Sequence, residues 1–365
     1  MNKINVLYHD KKVGTIAFID GKYCFQYADE WINNGFSISP LSLPLKKELF
    51  IPKKSYFDGL FGVFYDSLPD SWGRLLMNRY LKKKGIKNID SLYMLSCVGK
   101  EGMGALEYIP SNNEEYNEVI DLDYYQDLAN KVLDNEEVDI TTFYKLAGSS
   151  GGARPKLLAN IDGVDWIIKF QSKYDIDNAG LVEYEYALAC KKIGINMPNF
   201  KLFDSKTNKG YFGIERFDRV NSRKIHMISV SALLEVDFNT PSIDYNDLFK
   251  LTKFLTINNN EDINQLFYRM CFNVYAHNLD DHTKNFSYIY DENLKRYKLS
   301  PAYDMTFSNT YYGEHTTSVN NKGKDITDDD LLTVGIKAGI KKDEALKMLN
   351  KVKEVVNKDL IKYLK

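Results

Sequence analysis

The chain has no run of about 18 apolar residues, so no segment is expected to cross a membrane. It has no Cys-x-x-Cys pair. The four cysteines (Cys24, Cys97, Cys190 and Cys271) are scattered among apolar neighbours, which is the pattern of buried reduced thiols in a cytoplasmic protein. There is no excess of positive charge. With 48 Lys and Arg against 50 Asp and Glu the net charge is −2, which argues against binding nucleic acid by bulk electrostatics. No G-x-x-x-x-G-K-[ST] phosphate loop, internal repeat or low-complexity segment occurs. The opening stretch Met1-Asn2-Lys3-Ile4-Asn5-Val6 alternates like a strand and lacks the apolar core of a secretion signal. What remains is an ordinary globular composition, 44% apolar and 27% charged, over 365 residues. That length predicts two or more folding units.

Residues 4–27 alternate around turns at Asp10-Lys11 and Asp20-Gly21 and predict an antiparallel meander. Residues 36–52 are extended and punctuated by proline. Helical spacing appears near Tyr56 to Tyr65 and resumes after Pro69. Asp70 or Ser71 is the expected N-cap there, and Leu75, Leu76, Tyr80 and Leu81 the buried face. A short helix over 92–98 stops at Gly99, and Gly102 and Gly104 flank a turn into a strand over 105–109. The acidic stretch from Pro110 to Glu118 marks a boundary. Beyond it the pattern reads helix (122–133), second segment (140–146), strands (156–160 and 166–170), helix (179–193), strands (200–204 and 211–217). From about 243 onward it is helical, except for a hairpin over 286–290 and 296–299. Thr327 before three aspartates opens a helix, and 342–364 is amphipathic with Leu346, Leu349, Val352 and Val356 inward. Three segments follow: 1–110, 111–220 and 221–365.

The chemistry concentrates in His277-Asn278-Leu279-Asp280-Asp281-His282-Thr283-Lys284-Asn285-Phe286-Ser287, a polar stretch between two apolar ones. Rigid flanking elements aim the side chains of such a loop. Asp280 and Asn285 stand five residues apart. That is the spacing of proton acceptor and metal-binding amide in kinase catalytic loops. Taken alone, the stretch is also compatible with a transition-metal set (His277, Asp280, Asp281, His282) or with a solvated loop. Other pieces fall in order around it. The Gly148-Ser149-Ser150-Gly151-Gly152 turn offers backbone N–H groups to phosphate, because glycine removes the Cβ obstruction. Lys169 interrupts the apolar strand Trp166-Ile167-Ile168-Lys169-Phe170 as a phosphate-pairing lysine does, and Glu183 or Glu185 on the following helix is its candidate partner. Glu215-Arg216-Phe217 ends a strand where a hinge would meet adenine, or else Arg216 to Arg219 form a structural Arg–Asp cluster. Asp304, after the hairpin, stands where a second metal-binding carboxylate is needed.

These pieces together resemble the HipA family of serine/threonine protein kinases, the toxins of HipA–HipB-type toxin–antitoxin modules. The resemblance rests on Ser150-Gly151-Gly152-Ala153-Arg154-Pro155-Lys156, Ile167-Ile168-Lys169, Glu215-Arg216-Phe217-Asp218-Arg219, Asp280 to Ser287, and Pro301 with Tyr303-Asp304. In the N-terminal part it rests on Val6 to Gly14, Ser42-Leu43-Pro44-Leu45, Asp66-Ser67-Leu68-Pro69-Asp70 with Arg74, and Leu95 to Gly99 with Gly102, Gly104 and Ala105. It implies an α+β, bilobal, protein-kinase-like fold. An extra N-terminal α/β subdomain would fill 1–110, a kinase N-lobe 111–220, and a mostly helical C-lobe 221–365.

It also implies transfer of the ATP γ-phosphate to a protein serine or threonine, with Asp280 accepting the proton and Asn285 and Asp304 holding Mg²⁺. Gly151, Gly152, Ala153, Arg154, Pro155 and Lys156 would cover the phosphates and Lys169 would pair with them. Glu215, Arg216 and Phe217 would form the adenine hinge, and His282, Lys284 and Tyr303 would line the nucleotide. Ser149 or Ser150 would be autophosphorylated, Ser149 by preference. The implied partners are a small helix-turn-helix antitoxin, through which any DNA would be reached, and a protein substrate such as an aminoacyl-tRNA synthetase.

Three departures stand out. Asp281 occupies a position where the family often has glycine, no Phe-Gly follows Asp304, and His277 lies three residues before Asp280 rather than two. A small-molecule phosphotransferase and a catalytically silent corepressor are the competing expectations on the same fold.

Overall fold

The computed structural model describes every residue except Ser55, Asn88, 113–119, 148–150, Ser222, Tyr311 and Lys365. The autophosphorylation candidates Ser149 and Ser150 therefore lie outside the described residues. The chain divides into two compact units. The first comprises Met1–Gly180, Lys201–Ile228 and Ala232–Glu235, and the second Leu181–Phe200, Ser229–Ser231 and Val236–Lys365. The first unit takes in all of 1–110 and, of 111–220, everything but 181–200.

The meander forms in the first unit as strands Lys3–Tyr8, Lys11–Ile19 and Lys22–Tyr27. Its tight turns place Asp10, Asp20 and Gly21 at φ of 64°, 48° and 78°, the left-handed geometry that aspartate and glycine tolerate. Strand Leu106–Ile109 pairs antiparallel with the first strand and completes a four-stranded sheet. Helix Ser71–Lys83 follows Asp70 as expected. Its inner face runs through Trp72, Leu76, Met77, Tyr80 and Leu81, with Leu75 only half-buried. A second four-stranded sheet contains Lys156–Ile161, Val164–Lys169, Tyr211–Glu215 and Phe200–Phe203, in that order.

One aromatic chain joins these layers. Trp72 packs on Phe143 (5.3 Å), Phe143 on Tyr125 (5.3 Å) and Phe170 (6.3 Å), and Phe170 on Tyr211 (5.4 Å). All five rings are buried, and edge-to-face pairs add about 0.5–1.5 kcal/mol each beyond the area they bury.

The second unit is helical apart from the hairpin Ser287–Asp291 and Arg296–Leu299. Helix Tyr245–Thr256 starts at Asp244, which accepts from Asn246 N–H, and Asn260–Tyr275 starts at Asn259, which accepts from Asp262 N–H. Asp328–Lys337 opens with a full capping box between Thr327 and Asp330. In Lys342–Asp359 the inner face is Ala345, Met348, Leu349, Val352 and Val356. Leu346 corrects the expectation: it is 41% exposed, because the 345/348/349/352 stripe already faces the neighbouring helices and 346 falls a quarter-turn away. All four cysteines are buried and free.

Candidate functional site

The glycine turn lies in the first unit, between helix Thr141–Ala147 and strand Lys156–Ile161. Gly152 has φ +86°, and a Cβ there would sit 2.3 Å from Lys156 Nζ. The positive φ favours glycine, and the ammonium of the buried Lys156 is folded against the turn. Gly152 N–H donates to Asp70 Oδ2 at 2.6 Å. Asp70 occupies the N-cap position of helix Ser71–Lys83 but makes no capping bond, because its carboxylate is spent on the glycine turn. Trp72 Nε1–H donates to the Lys156 carbonyl at 3.2 Å. The turn is thus held from Asp70, expected from the sequence as an N-cap, and from Trp72 of the same helix.

Among the other candidates of this unit, Arg154 pairs with Asp175 at 3.0 Å, and the Pro155 carbonyl accepts from Phe170 N–H. The exposed Ala153 and half-buried Gly151 complete the turn. Lys169 ends strand Val164–Lys169 opposite Lys156, with its ammonium 5.8 Å above the Phe212 ring. In the second unit Glu185 is taken by Lys362 and by Tyr363 OH, both at 2.6 Å, and Glu183 is buried. Glu215 ends its strand opposite Trp166, and Phe217 is half-buried beyond it.

With its side chain Arg216 takes the structural alternative, the Arg–Asp cluster. Its side chain is 5% exposed and turns inward, donating to Asp218 from Nε (3.0 Å) and Nη2 (2.8 Å) and to the Gly102 carbonyl (3.0 Å). Arg219 donates to the same carboxylate at 2.9 Å and to the Gly104 carbonyl, and Gly104 N–H donates to Asp218 Oδ2. Burial raises the Asp218 pKa, but the two guanidinium groups outweigh it and hold the carboxyl at about 2. A buried arginine whose fork is filled this way serves structure rather than a ligand.

In the second unit the polar turn follows helix Asn260–Tyr275. His277 takes φ +56°, stacks on Phe307 at 5.1 Å, and bonds Asn309 Oδ1 through Nε2. Asp280 is clamped by its backbone: the N–H donates to Ser308 Oγ (3.1 Å), and the carbonyl accepts from Asn285 Nδ2 (2.7 Å). Its side chain is 54% exposed. Because Asn285 spends its nitrogen on that carbonyl, its Oδ1 is the atom left with cation-binding chemistry.

Asp281 points the other way and is fully buried. Its carboxylate accepts from Tyr245 OH (2.9 Å), Thr316 Oγ1 (3.1 Å) and Thr317 N–H (3.1 Å), and meets His315 Nδ1 at 3.0 Å. The sequence marks Asp281 as a departure from the family and as one of four candidate metal ligands. Its partners lie 34 to 36 residues away, beyond the reach of any local pattern.

His282 Nδ1 accepts from Lys284 N–H, its ring lies 5.6 Å from Phe238, and Lys284 Nζ sits 5.0 Å above the same Phe238 ring. Tyr303 OH donates to the Lys284 carbonyl (2.8 Å) and lies 2.5 Å from Ser287 Oγ. The stretch leading to Asp304 is fixed by Arg269 Nη2 on the Ser300 carbonyl and by Ala302 N–H on the Asn196 carbonyl. Asp304 itself takes φ +53°, and its carbonyl lies 3.4 Å from Asn278 Nδ2.

The transition-metal alternative is not supported by this geometry. His277 turns to Asn309, Asp281 is turned inward onto its own partners, and His282 Nδ1 is engaged by a backbone N–H. Among the described residues no three His, Cys, Asp or Glu side chains form a candidate metal cluster.

A mixed sheet-and-helix unit with a lysine-bearing strand beside a glycine turn, and a helical unit with an Asp-x-x-x-x-Asn turn, place the protein in the α+β, protein-kinase-like class. Residues 4–109 match the HipA N-terminal domain and residues 148–360 the HipA-like C-terminal domain. The chain belongs to the HipA family.

Among curated proteins it is similar to "Putative kinase Y4dM" of Sinorhizobium fredii, 24% identical over 88% of this chain and 81% of that protein. Among solved structures it is similar to HipA of Shewanella oneidensis MR-1, described in complex with HipB and operator DNA. That likeness has a TM-score of 0.73 and 16% identity over 99% of this chain and 90% of the other. No helix among the described residues is long and apolar enough to cross a membrane.

Proposed function

We propose that this protein is an ATP- and Mg²⁺-dependent serine/threonine protein kinase that acts as the toxin of a HipA–HipB-type pair. The observation that carries the reading is the clamp on Asp280: backbone held on both sides, carboxylate exposed, and the Asn285 amide nitrogen spent on the Asp280 carbonyl. In the proposed reaction the Asp280 carboxylate accepts the proton of a serine or threonine hydroxyl. The hydroxyl oxygen bonds to the γ-phosphorus, the β–γ bridging P–O bond breaks, and ADP leaves with that electron pair.

Asn285 Oδ1 and the Asp304 carboxylate are hard oxygen donors of the kind Mg²⁺ takes, so the residues present fit the ion. When bound, Mg²⁺ supplies neutralisation of the phosphate charge. Gly151 to Lys156 and Lys169 would hold the phosphates, with the Glu215–Phe217 backbone and His282, Lys284 and Tyr303 at the rest of the nucleotide. The Arg216 side chain is excluded from that set by its pairing with Asp218.

The names of the relatives support this reading, one as a kinase and one as a HipA in complex with HipB and its operator. The partner proposed is a HipB-like helix-turn-helix antitoxin, through which DNA is reached. The substrate proposed is a protein of the translation apparatus, such as an aminoacyl-tRNA synthetase, and the compartment the cytoplasm.

The test is intact-mass spectrometry after incubation with Mg²⁺ and ATP, comparing the native chain with Asp280→Ala. A gain of roughly 80 Da per phosphate on Ser149 or Ser150, in the native chain only, is the expected result. No gain from an unphosphorylated starting chain, together with transfer to a sugar or antibiotic, would favour the small-molecule reading. No transfer to any acceptor would leave the corepressor.

A further inference from the structure

Asp281 and Asp280 are neighbours in sequence, and a second route through the second unit also joins them. Asp280 N–H donates to Ser308 Oγ (3.1 Å), and Ser308 Oγ–H donates to Asn278 Oδ1 (2.7 Å). Asn278 Nδ2 donates to Asn273 Oδ1 and Asn273 Nδ2 to Tyr245 OH, both at 2.9 Å. Tyr245 OH donates to Asp281 Oδ2 at 2.9 Å. The direction of every link is fixed by the two ends, since a backbone N–H only donates and a carboxylate only accepts. The result is a closed ring of six residues whose bonds all run one way, from the amide of Asp280 to the carboxylate of Asp281.

Tyr245, Asn273, Asn278 and Asp281 are each no more than 2% exposed. In so dry a setting aligned hydrogen bonds polarise one another, and a broken link strands a buried polar group. The Asp280 carbonyl accepts from Asn285 Nδ2, so both backbone polar groups of Asp280 are engaged, one by the ring and one by Asn285.

We propose that this ring positions Asp280: Tyr245, Asn273, Asn278, Ser308 and Asp281 set the direction of the exposed carboxylate without touching substrate. The proposal rests on the kinase reading above. It assigns to Asp281 a role as terminus of the ring, and to Tyr245 and Ser308 a role that nothing in the local sequence signals. Phosphoryl transfer depends on placement, and a shift of about an ångström in the proton acceptor can cost on the order of a hundredfold in rate.

The test uses the full chain with Tyr245→Phe, Ser308→Ala and Ser308→Thr. It measures the rate of phosphoryl transfer at saturating ATP, the ATP concentration giving half that rate, and hydrogen exchange of the 277–287 segment. Tyr245→Phe and Ser308→Ala are expected to lower the saturating rate roughly 10- to 100-fold while the half-saturating ATP changes by less than about twofold. Exchange of the segment should rise in both. Ser308→Thr, which keeps the hydroxyl, should restore the rate to within about threefold of the native chain.

Faster exchange with an unchanged rate would overturn the proposal, since the ring would then be only a stabiliser. A Ser308→Thr chain as slow as Ser308→Ala would overturn it too. Should Tyr245→Phe fail to fold, the Ser308 pair decides. A native chain that transfers no phosphate while its 277–287 segment stays protected would remove the kinase reading itself, and the positioning role with it. That result is distinct from every failure of the ring alone.

Discussion

The two units solve the same problem, holding a polar loop in a fixed shape, with opposite chemistry. In the first unit charge does the holding. Asp70 takes the Gly152 N–H, and the cluster of Arg216, Asp218 and Arg219 fixes the Gly102 and Gly104 backbone. In the second unit most links beside Asp280 are neutral amides and hydroxyls, and charge enters only at the terminus, Asp281. A charged cluster is strong but depends on every partner, because each ion left behind is a buried, uncompensated charge. A neutral relay loses less per link but transmits direction along its length. Under the proposed kinase reading the difference suits the demands: a turn that meets phosphate would have to resist a large field, whereas a proton acceptor would have to be aimed.

Removing the carboxylate from the charged cluster should break the contrast most sharply. Asp218→Ala leaves two buried guanidinium groups facing each other, and a loss of about 3–5 kcal/mol is expected in denaturant unfolding. Acid should act likewise. The folded pKa of Asp218 lies below its usual value, so its contribution is present above the ordinary carboxylate range and is lost as pH falls toward about 2. Stability that stayed flat through that window would show that the cluster contributes little.

Next in size is the neutral relay. Tyr245→Phe should cost about 1–3 kcal/mol of unfolding free energy, from the stranded Asn273 amide and the weakened Asp281 site. A loss as large as that of Asp218→Ala would erase the distinction between the units.

Glu235 sharpens it from another side. This largely buried carboxyl of the first unit accepts from Gly62 N–H at 2.9 Å. Burial raises its pKa, and with the hydrogen bonds from Gly62 and Ser42 opposing, it settles at about 7. An acid whose folded pKa is raised stabilises fully below its unfolded value near 4.5 and loses that contribution as pH rises through about 7. Glu235→Gln should therefore flatten the melting temperature between pH 5 and pH 8 (roughly the span bracketing the two pKa values), with the variant gaining on the native chain at the alkaline end. A constant difference across that range would contradict the assignment.

The smallest effect is expected at Asp70. Asp70→Ala frees the Gly152 N–H, and a fluorescent ATP analogue should bind about three- to tenfold more tightly, the worth of one released hydrogen bond. Weaker binding would mean that Asp70 shapes the turn for the nucleotide instead of competing with it.

Much of this was legible in the chain. The meander showed in the period-two pattern and in Asp-Lys and Asp-Gly turns, the capped helix in Thr327, and the polar turn in its own composition. The short helix Asp29–Asn34 and the two-residue strands Arg219–Val220 and Arg223–Lys224 went unread, because they are too short to show a period. Leu346 was misplaced because several apolar residues compete for one stripe, and only packing chooses among them.

The site was legible as residues and illegible as partnerships. Asp280 and Asn285 announce themselves by spacing. Asp70 reaches a group 82 residues on, and the Arg216 side chain reaches one 114 residues back. Asp281 is conspicuous as a substitution and as a possible metal ligand, and the ring around it is invisible until Ser308 and Tyr245 are brought beside it.

The Gly102–Gly104 backbone has a bearing on heredity as well as on stability. The N-terminal and C-terminal family domains meet in the literal sense at this point: Asp218, Arg216 and Arg219 come from one, and the carbonyls and N–H they require come from the other. Gly104 adopts φ +76°, with Met227 only 3.1 Å from where a Cβ would stand. A chimera joined in the 110–118 stretch would take the charged cluster from one parent and the backbone it holds from the other.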